Sequence, residues 1–245
     1  MNNFLNIAHR GASGYCPENT MAAFKRAIEL GANGIETDVQ MTADGHLVLI
    51  HDEGLQRTAG SPKLVKDVTL EELRTLDAGS WYDPSFAGER VPTLRELLEL
   101  VLPTSVQVNI ELKNGIVQYP GLEEAVIQEV RELGLSDRII ISSFNHYSLV
   151  KCKQLAPEIR TGVLYMEGLY EPWKYAAGLG ADALHPHYFA VLPEWVAASA
   201  EQNIAYHPFT VNKEEDMKRL LEAGVAAIIT DYPDKLGSLL QVKNK

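Results

Sequence analysis

The fold is decided by the stretch GIETDVQMTADGHLVLIHD, residues 34–52. Two apolar, β-branched runs are separated there by a polar segment with Asp-Gly at positions 44–45, which is a strong hairpin signal. If those two residues form the turn, the antiparallel register places Asp38 directly opposite His51. Because side chains alternate across a strand, Glu36 lies on the same face. The hairpin therefore predicts that two carboxylates and one imidazole converge.

The rest of the chain alternates short apolar runs with amphipathic helical patterns, which favours a parallel sheet with crossover helices. The chain has 245 residues, and a TIM (β/α)8 barrel of about 250 residues is a common way to use that length. We predict such an α/β barrel as one domain over residues 1–245, with the hairpin strand Leu47–His51 as an extension. The eight predicted barrel strands are Phe4–His9, Gly34–Val39, Val106–Leu112, Arg138–Ser142, Arg160–Leu164, Asp182–His185, Ile204–Phe209 and Ala226–Thr230.

Capping residues mark helix boundaries in two places. Asn19 is a candidate N-cap for a helix that ends at Gly31. Thr93 and Glu96 have the spacing of a capping box. Each of these two helices would precede a predicted barrel strand, as crossover connections between parallel strands require.

Residues 53–92 form a connection that is too long for an ordinary barrel loop. The segment contains a predicted short helix near Thr69–Leu76 and three aromatic residues, Trp81, Tyr82 and Phe86. Loops longer than about 12–15 residues are usually functional or disordered. We expect a small inserted cap that acts as a lid or as a substrate-selecting wall. A merely structural flap is the alternative.

The composition restricts the partners of this chain. The formal net charge is −11, so the surface repels nucleic acid and anionic membranes, and we expect neither a nucleic-acid partner nor stable membrane association. Cys16 and Cys152 have no metal-ligand spacing and are predicted to be free thiols of a reducing compartment. The N-terminus has no signal-like pattern, and no apolar run approaches the length of a membrane span. We therefore expect a cytoplasmic protein; its oligomeric state is not predicted.

The first candidate site residues follow the first predicted strand. Reacting groups in TIM barrels lie at the C-terminal ends of the strands and in the loops after them. His9 can accept or donate a proton there, and Arg10 can bind phosphate oxygens. Gly11 and Gly14 let the backbone approach a ligand closely. A helix-packing or capping role for this motif is the alternative.

Carboxylates occupy two further strands. Glu36 and Asp38 lie two positions apart and point to the same side, which is costly in a barrel mouth unless a positive charge joins them. Oxygen ligands favour a hard cation such as Mg²⁺ or Ca²⁺. Glu111 adds a third carboxylate, and Lys113 on the same face adds positive charge for a phosphate. The alternative is a set of inward salt bridges without any bound ion.

Two histidines are predicted to lie at neighbouring strand ends with carboxylates between them. A single histidine is more often a packed or surface residue. Here His9 and His51 flank the acidic residues, and an imidazole with an ordinary pKa near 6.5 can accept a proton while its partner donates one. The pair therefore indicates acid–base catalysis.

The ordered series of motifs resembles the glycerophosphodiester phosphodiesterase family, which shares a barrel with the phosphatidylinositol-specific phospholipases C. The resemblance spans nearly the whole chain and includes an insertion after the His-Asp motif. The matching motifs are His9-Arg10-Gly11, Pro17-Glu18-Asn19-Thr20, Glu36-Thr37-Asp38-Val39, Asp44-Gly45, His51-Asp52, Leu55, Arg57-Thr58, Glu111-Leu112-Lys113, Ser143-Phe144, Thr210-Val211-Asn212 and Ile228-Ile229-Thr230-Asp231-Tyr232-Pro233.

The resemblance implies hydrolysis of a glycerophosphodiester to sn-glycerol 3-phosphate and an alcohol. A neighbouring glycerol hydroxyl would attack phosphorus, and water would open the resulting cyclic phosphate. The resemblance does not indicate which histidine starts as the base. The implied site residues are His9 and His51 as acid and base, Arg10 and Lys113 as phosphate ligands, and Glu36, Asp38 and Glu111 as ligands of one Mg²⁺ or Ca²⁺ ion.

Two departures from the family pattern and two rival functions remain at this point. Phe209 stands where the family usually has tryptophan, and Ala226 and Ala227 replace Asp-Gly. A phospholipase C- or D-like enzyme acting on lysolipids is one rival. A non-catalytic barrel that binds phosphodiesters is the other, although it should have lost one of the five catalytic or metal-binding residues. Other residues left open as pocket-lining or core residues are Phe144, His185, Tyr188, Phe189 and His207.

Overall fold

The computed structural model describes residues 4–243. Strands and helices alternate along this range, with a hairpin strand and two short helices added before the third barrel strand. The strands are β1 Leu5–Ala8, β2 Gly34–Met41, β3 Leu47–Leu49, β4 Gln107–Leu112, β5 Ile139–Ser143, β6 Arg160–Tyr165, β7 Ala183–Pro186, β8 Ala205–Tyr206 and β9 Ala227–Thr230. The helices are α1 Met21–Glu29, α2 Gln56–Ala59, α3 Leu70–Leu73, α4 Leu94–Val101, α5 Leu122–Glu132, α6 His146–Leu155, α7 Pro172–Leu179, α8 Pro193–Ala200, α9 Glu214–Ala223 and α10 Pro233–Lys243.

The strands form a parallel barrel, which confirms the predicted TIM fold. Their order is β8-β7-β6-β5-β4-β2-β1-β9, and β3 pairs with β2 outside this path. Backbone hydrogen bonds link the two ends of the series. Ala226 N donates to Tyr206 O at 3.1 Å, and Ile229 N donates to Pro208 O at 3.0 Å. The predicted strand Ile204–Phe209 is shorter than expected, with two residues in β8.

Side chains that point into the barrel change from apolar to polar along the strands. A small apolar cluster fills the N-terminal half, where Leu5, Ile7 and Ile140 pack together with Ala227 and Ile229. Further along, the register aligns inward positions of β2 and β4, with 36 opposite 109 and 38 opposite 111. The apolar layer thus ends where the candidate site begins, at the C-terminal ends of the strands.

The predicted register of the hairpin was wrong by one residue. Val39 pairs with Leu49, and Met41 pairs with Leu47. The loop therefore contains three residues, 43–45, rather than two. Three-residue hairpin loops place a residue in the left-handed region at their last position, and Gly45 has φ +84°.

The slip changes which residue lies opposite Asp38. Ile50 N donates to Asp38 O at 3.0 Å, so Ile50, and not His51, is its cross-strand neighbour. A one-residue slip moves side chains to the other face of a strand. His51 nevertheless reaches the site, because β3 ends at Leu49 and the chain bends after it.

One predicted helix cap is confirmed and one is wrong. Thr93 and Glu96 form the expected capping box of α4. Thr20, and not Asn19, is the N-cap of α1, and its hydroxyl accepts a hydrogen bond from Ala23 N. Asn19 has φ +54°, and its buried side chain binds strand β2 instead of the helix end.

The insertion between β3 and α4 contains α2, α3 and two short 3₁₀ turns, Val65–Asp67 and Pro84–Phe86. Helix α3 is shorter than the predicted Thr69–Leu76 and begins after a capping box formed by Thr69. The insertion has an apolar cluster of its own, separate from the main core. It therefore packs around its own small core, to which β3 contributes Val48.

Two smaller expectations can be compared with the structure directly. Cys16 and Cys152 are both buried and free, as predicted. Within residues 4–243, every helix is too short or too polar to span a membrane.

Candidate active site

Three carboxylates meet at the mouth of the barrel, as the sequence predicted. Glu36 and Asp38 lie on β2, and Glu111 lies on β4 directly opposite Asp38. One oxygen from each residue lies within 4.8 Å of the others. Glu36 and Asp38 are buried, at 5% and 1% exposed. Adjacent strands and the two-residue side-chain period thus bring the three groups together.

The crowding of these carboxylates perturbs their pKa values. Burial, followed by the charges of Asp38 and Glu111, raises the pKa of Glu36 well above its ordinary value. Burial and the charge of Asp38 raise the pKa of Glu111 to about 7. Burial also acts to raise the pKa of Asp38, but Arg10 and Lys113 outweigh it, so the net pKa lies below its usual range. If all three carboxyls were ionised, their negative charge would therefore exceed what the surrounding groups neutralise.

Two cations border the cluster. Lys113 Nζ lies 2.9 Å from Glu111 Oε1 and 3.7 Å from Asp38 Oδ1. Arg10 Nε lies 3.4 Å from Asp38 Oδ2, and the backbone N–H of Arg10 donates to Glu36 Oε2 at 2.9 Å. Arg10 Nε is buried without a hydrogen-bond partner among the described residues. Two cations do not balance three ionised carboxylates, so the cluster can accommodate further positive charge.

The donor set fits a hard divalent cation. Three clustered carboxylate oxygens are ligands of the kind that Mg²⁺ and Ca²⁺ select. Asn19 Nδ2 donates to Asp38 Oδ2 at 2.9 Å, and Thr37 Oγ1 donates to Asn19 Oδ1 at 2.7 Å. This pair of hydrogen bonds orients one of the three carboxylates, as supporting residues around metal ligands usually do.

His9 follows β1 and is oriented by a carboxylate from the neighbouring strand end. Its Nδ1 lies 2.7 Å from Oδ1 of Asp231, the first residue after β9. Asn212 Nδ2 donates to the other oxygen of Asp231 at 2.6 Å, and Ser13 Oγ lies 3.0 Å from Oδ1. Because an ionised carboxylate only accepts, Nδ1 of His9 carries the hydrogen and Nε2 is available for proton transfer.

His51 has a carboxylate partner of a different kind. Its Nδ1 lies 2.7 Å from Oδ1 of Asp52, the next residue in the chain. Arg57 Nε donates to Asp52 Oδ2 at 2.6 Å, and the same guanidinium binds both oxygens of Glu18. Glu18 also accepts from Arg10 at 2.9 Å. A chain of alternating charges therefore connects His51 to the phosphate-binding candidate Arg10.

The surroundings of His51 favour its neutral form. Burial lowers the pKa of His51, and the charges of Arg10 and Lys113 lower it further, against the opposing charge of Asp38. Two hydrogen bonds from Arg57 and one from His51 bring the pKa of Asp52 to about 2. At neutral pH the Nε2 of a neutral His51 with Nδ1–H is a proton acceptor.

A narrow pocket lies beside the carboxylates, and an aromatic wall borders it. His9, Glu36 and Glu111 line one part of this pocket, and Phe209 lines another. The ring of Phe209 contacts Phe144 edge-on, with ring centres 6.2 Å apart. Phe209 also contacts His187, with ring centres 6.0 Å apart, and His187 in turn contacts Tyr188 and Phe189.

His185 and His207 lie inside the barrel rather than in the pocket with the carboxylates. Both are buried, and His207 Nδ1 lies 3.1 Å from His185 Nε2. His207 borders a separate cavity of about 330 Å³ that also contacts Leu5 and Ala226, at the N-terminal ends of the strands. These two histidines are therefore buried core residues, and neither lines the pocket of the carboxylates.

The residues predicted as site residues all border the acidic cluster or its two flanking histidines, but the sequence reasoning missed their partners. Asp231 and Asn212 were noted only as parts of motifs, and Asp52, Arg57 and Glu18 received no role. Their positions immediately after barrel strands or beside His51 were a usable signal for Asp231 and Asp52. The contacts of Glu18 and Arg57 join segments 39 residues apart, so the sequence contained no local sign of them.

Comparisons with known proteins agree with this geometry. The sequence matches the model of the glycerophosphoryl diester phosphodiesterase family over residues 9–235. A glycerophosphodiester phosphodiesterase of Caldanaerobacter subterraneus subsp. tengcongensis is 53% identical over 237 residues, which cover 97% of this chain and 98% of the relative. A Bacillus altitudinis glycerophosphodiester phosphodiesterase is 44% identical, with 94% of this chain and 95% of the relative covered.

Solved structures show the same similarity. An Oleispira antarctica phosphodiesterase in complex with the product sn-glycerol-3-phosphate superimposes with a TM-score of 0.88 at 33% identity, and 96% of each chain is covered. A putative glycerophosphoryl diester phosphodiesterase from Silicibacter pomeroyi has a TM-score of 0.89 at 29% identity, with 97% of this chain and 93% of that chain covered.

Proposed function

This chain belongs to the glycerophosphoryl diester phosphodiesterase family and is a phosphoric diester hydrolase of that kind, and on this premise we propose how its site works. It hydrolyses small glycerophosphodiesters to sn-glycerol 3-phosphate and an alcohol, with one divalent cation and two histidines. The observation that carries this proposal is the acidic cluster of Glu36, Asp38 and Glu111 between two histidine–carboxylate pairs. The bound sn-glycerol-3-phosphate of the Oleispira antarctica relative supports the product.

The three carboxylates hold the cation, which is Mg²⁺ or Ca²⁺. When bound, a divalent cation supplies positive charge that neutralises the phosphoryl oxygens as charge develops on them. The chain itself adds Arg10 and Lys113 on either side of the cluster. The buried Nε–H of Arg10 has no hydrogen-bond partner within residues 4–243, and a phosphate oxygen would satisfy it.

His51 acts as the base in the first step. Its neutral Nε2 takes the proton of the glycerol hydroxyl next to the phosphoester, and that oxygen forms a bond to phosphorus. An intramolecular nucleophile of this kind benefits from its fixed position near the reacting atom. Asp52 holds the ring in the required tautomer, and Arg57 limits how far Asp52 favours a protonated ring.

His9 acts as the acid in the same step. The bond between phosphorus and the alcohol oxygen breaks, and Nε2–H of His9 gives that oxygen its proton. Asp231 holds the Nδ1 side of the ring, which leaves Nε2 to carry the transferred proton. Water then opens the cyclic phosphate in the second step. His9 takes a proton from water, and His51 returns its proton to the glycerol oxygen.

Product analysis with glycerophosphocholine tests this function. We expect equimolar sn-glycerol 3-phosphate and choline, loss of turnover after chelation, and recovery when Mg²⁺ or Ca²⁺ is added back. Lysophosphatidylcholine serves as the second substrate and should be turned over more slowly. Preference for the lysolipid would favour a phospholipase-like enzyme, and activity that resists chelation would exclude the cation.

A further inference from the structure

The segment that carries His51 continues beyond the paired part of the hairpin. The last backbone bond between the two hairpin strands is that from Ile50 N to Asp38 O. Strand β3 ends at Leu49, yet the side chain of His51 must be held within about 0.5 Å of its productive place for efficient proton transfer. Something other than the β-ladder must therefore hold residues 51 and 52.

A buried amide side chain occupies this place. Gln40 lies on β2, on the same face as Glu36 and Asp38, and is 0% exposed. Its Nε2 lies 3.0 Å from Ile50 O. The same nitrogen lies 3.1 Å from the carbonyl oxygen of His51 and 2.8 Å from that of Asp52. The two N–H donors of one amide are thus shared among three successive carbonyls, including that of His51 itself.

A second buried residue sets the orientation of this amide. Tyr119, in the loop between β4 and α5, donates its hydroxyl to Gln40 Oε1 at 2.8 Å. Burial raises the pKa of Tyr119, so the hydroxyl stays protonated and can only donate to the carbonyl oxygen of the amide. The amide nitrogen is thereby turned towards the three backbone carbonyls.

We infer that Gln40 is a positioning residue for His51 and that Tyr119 fixes the Gln40 amide in its working orientation. The inference rests on the proposed role of His51 as the base. Strand β2 then supplies two of the three carboxylates of the cation site and, two residues further on, the amide that fixes the base. The distance between cation and base is then fixed largely from one strand, together with Ile50, which packs in the apolar cluster of the insertion.

The test compares two variants with a matched control. Gln40→Met keeps the volume of the side chain and removes the amide, and Tyr119→Phe removes only the hydroxyl. Ser199→Ala is the control, because Ser199 is equally buried and donates to Ile204 O at 2.8 Å on the far side of the barrel. We expect kcat on glycerophosphocholine to fall about 50-fold in Gln40→Met and about fivefold in Tyr119→Phe, with KM within twofold, as for loss of supporting contacts around a site. Ser199→Ala should keep its kcat.

Double mutants separate positioning from loss of stability. Adding Gln40→Met to His51→Ala should cost less than twofold, because the residue acts through His51, whereas adding it to His9→Ala should cost the full 50-fold. Equal costs in both backgrounds would overturn the inference. If the residual rate of His51→Ala is too low, the ¹⁵N-detected imidazole signals decide. In Gln40→Met and Tyr119→Phe the chemical shifts of His51 should change and those of His9 should not. Unchanged His51 chemical shifts would also overturn the inference. An inactive wild type would instead refute the proposed function.

Discussion

The two histidine–carboxylate pairs have the same contact distance but are built from different parts of the molecule. His9 and Asp231 follow neighbouring barrel strands and approach to 2.7 Å. His51 and Asp52 are consecutive residues at the root of the insertion, with the same 2.7 Å contact. The first carboxylate is held by an amide and a hydroxyl, whereas the second is held by the guanidinium of Arg57.

The proposed roles of the two histidines follow this difference. The Asp231 carboxylate is held by neutral groups, and within residues 4–243 no arginine or lysine offsets its charge. A carboxylate that is already neutralised by arginine orients the ring without strongly favouring its protonation, and so leaves a proton acceptor. With equal geometry, this unequal charge supports the proposal of His9 as the acid and His51 as the base.

The largest expected effect comes from removing either imidazole. His9→Ala and His51→Ala should each lower kcat by about 10³-fold on glycerophosphocholine, since general acid or base catalysis contributes about 10²–10⁴-fold. Release of glycerol 3-phosphate measures this. His46→Ala is the matched control, because His46 lies next to the hairpin loop and is half exposed. If either site variant retained more than a tenth of the activity, the proposed catalytic role of that histidine would be contradicted.

The two carboxylates should differ in importance. Asp231→Asn should lower kcat about 100-fold, because it removes the carboxylate that fixes the orientation and tautomer of His9. Asp52→Asn should cost about tenfold, because Arg57 already offsets much of the Asp52 charge; both values lie in the range for supporting residues. The ratio of the two kcat values measures the inequality. Equal losses would show that the two pairs work alike.

The acidic cluster between the two pairs should release protons when it binds a cation. The pKa of Glu111 is raised to about 7 without the ion, so this carboxyl is largely protonated below that pH and a cation must displace the proton. Affinity for Ca²⁺ should therefore rise at least about tenfold from pH 6 to pH 8, since Glu36, whose pKa is also raised, must lose its proton as well. Calorimetric titration in buffers of different ionisation enthalpy measures the released protons. Affinity that is independent of pH would contradict the crowding of the three carboxylates.

The smallest expected effect concerns Arg57. Arg57→Gln removes the main cause that lowers the pKa of Asp52 to about 2, so the Asp52 charge acts more strongly on the ring and raises the pKa of His51. The base is then protonated up to a higher pH, and activity at pH 6 should fall about threefold, with little change at pH 8; half-exposed charges are partly screened. The rate–pH profile measures this, and an acid limb that does not move would contradict the role of Arg57.

The sequence predicted the barrel and the acidic cluster because both depend on patterns of apolar and polar residues that repeat over a few positions. Glu36 and Asp38 share a face by alternation alone, and Glu111 joins them once β2 and β4 are neighbours. His51 lies near the carboxylates, as predicted, but it does not reach them through the predicted hairpin register. A two-residue turn was assumed where Gly45 closes a three-residue loop, and His51 reaches the site from beyond the strand.

The supporting contacts could not be predicted in the same way. The bond between His9 and Asp231 joins residues 222 positions apart, and that between Tyr119 and Gln40 joins residues 79 apart. Such contacts depend on the closure of the barrel and on the rotamers of single side chains. Asn19 illustrates this, because its residue type suggested a helix cap and its left-handed backbone turns it towards Asp38 instead.

A substrate whose leaving group needs no proton tests the division between the two pairs most directly. The measurement compares kcat of His9→Ala and His51→Ala on glycerophosphocholine and on the p-nitrophenyl ester of glycerol 3-phosphate. If His9 is the acid, His9→Ala should lose about 10³-fold on the choline ester and less than about tenfold on the p-nitrophenyl ester, while His51→Ala should lose about 10³-fold on both. The opposite pattern, with His51→Ala restored by the better leaving group, would contradict the assignment of acid and base.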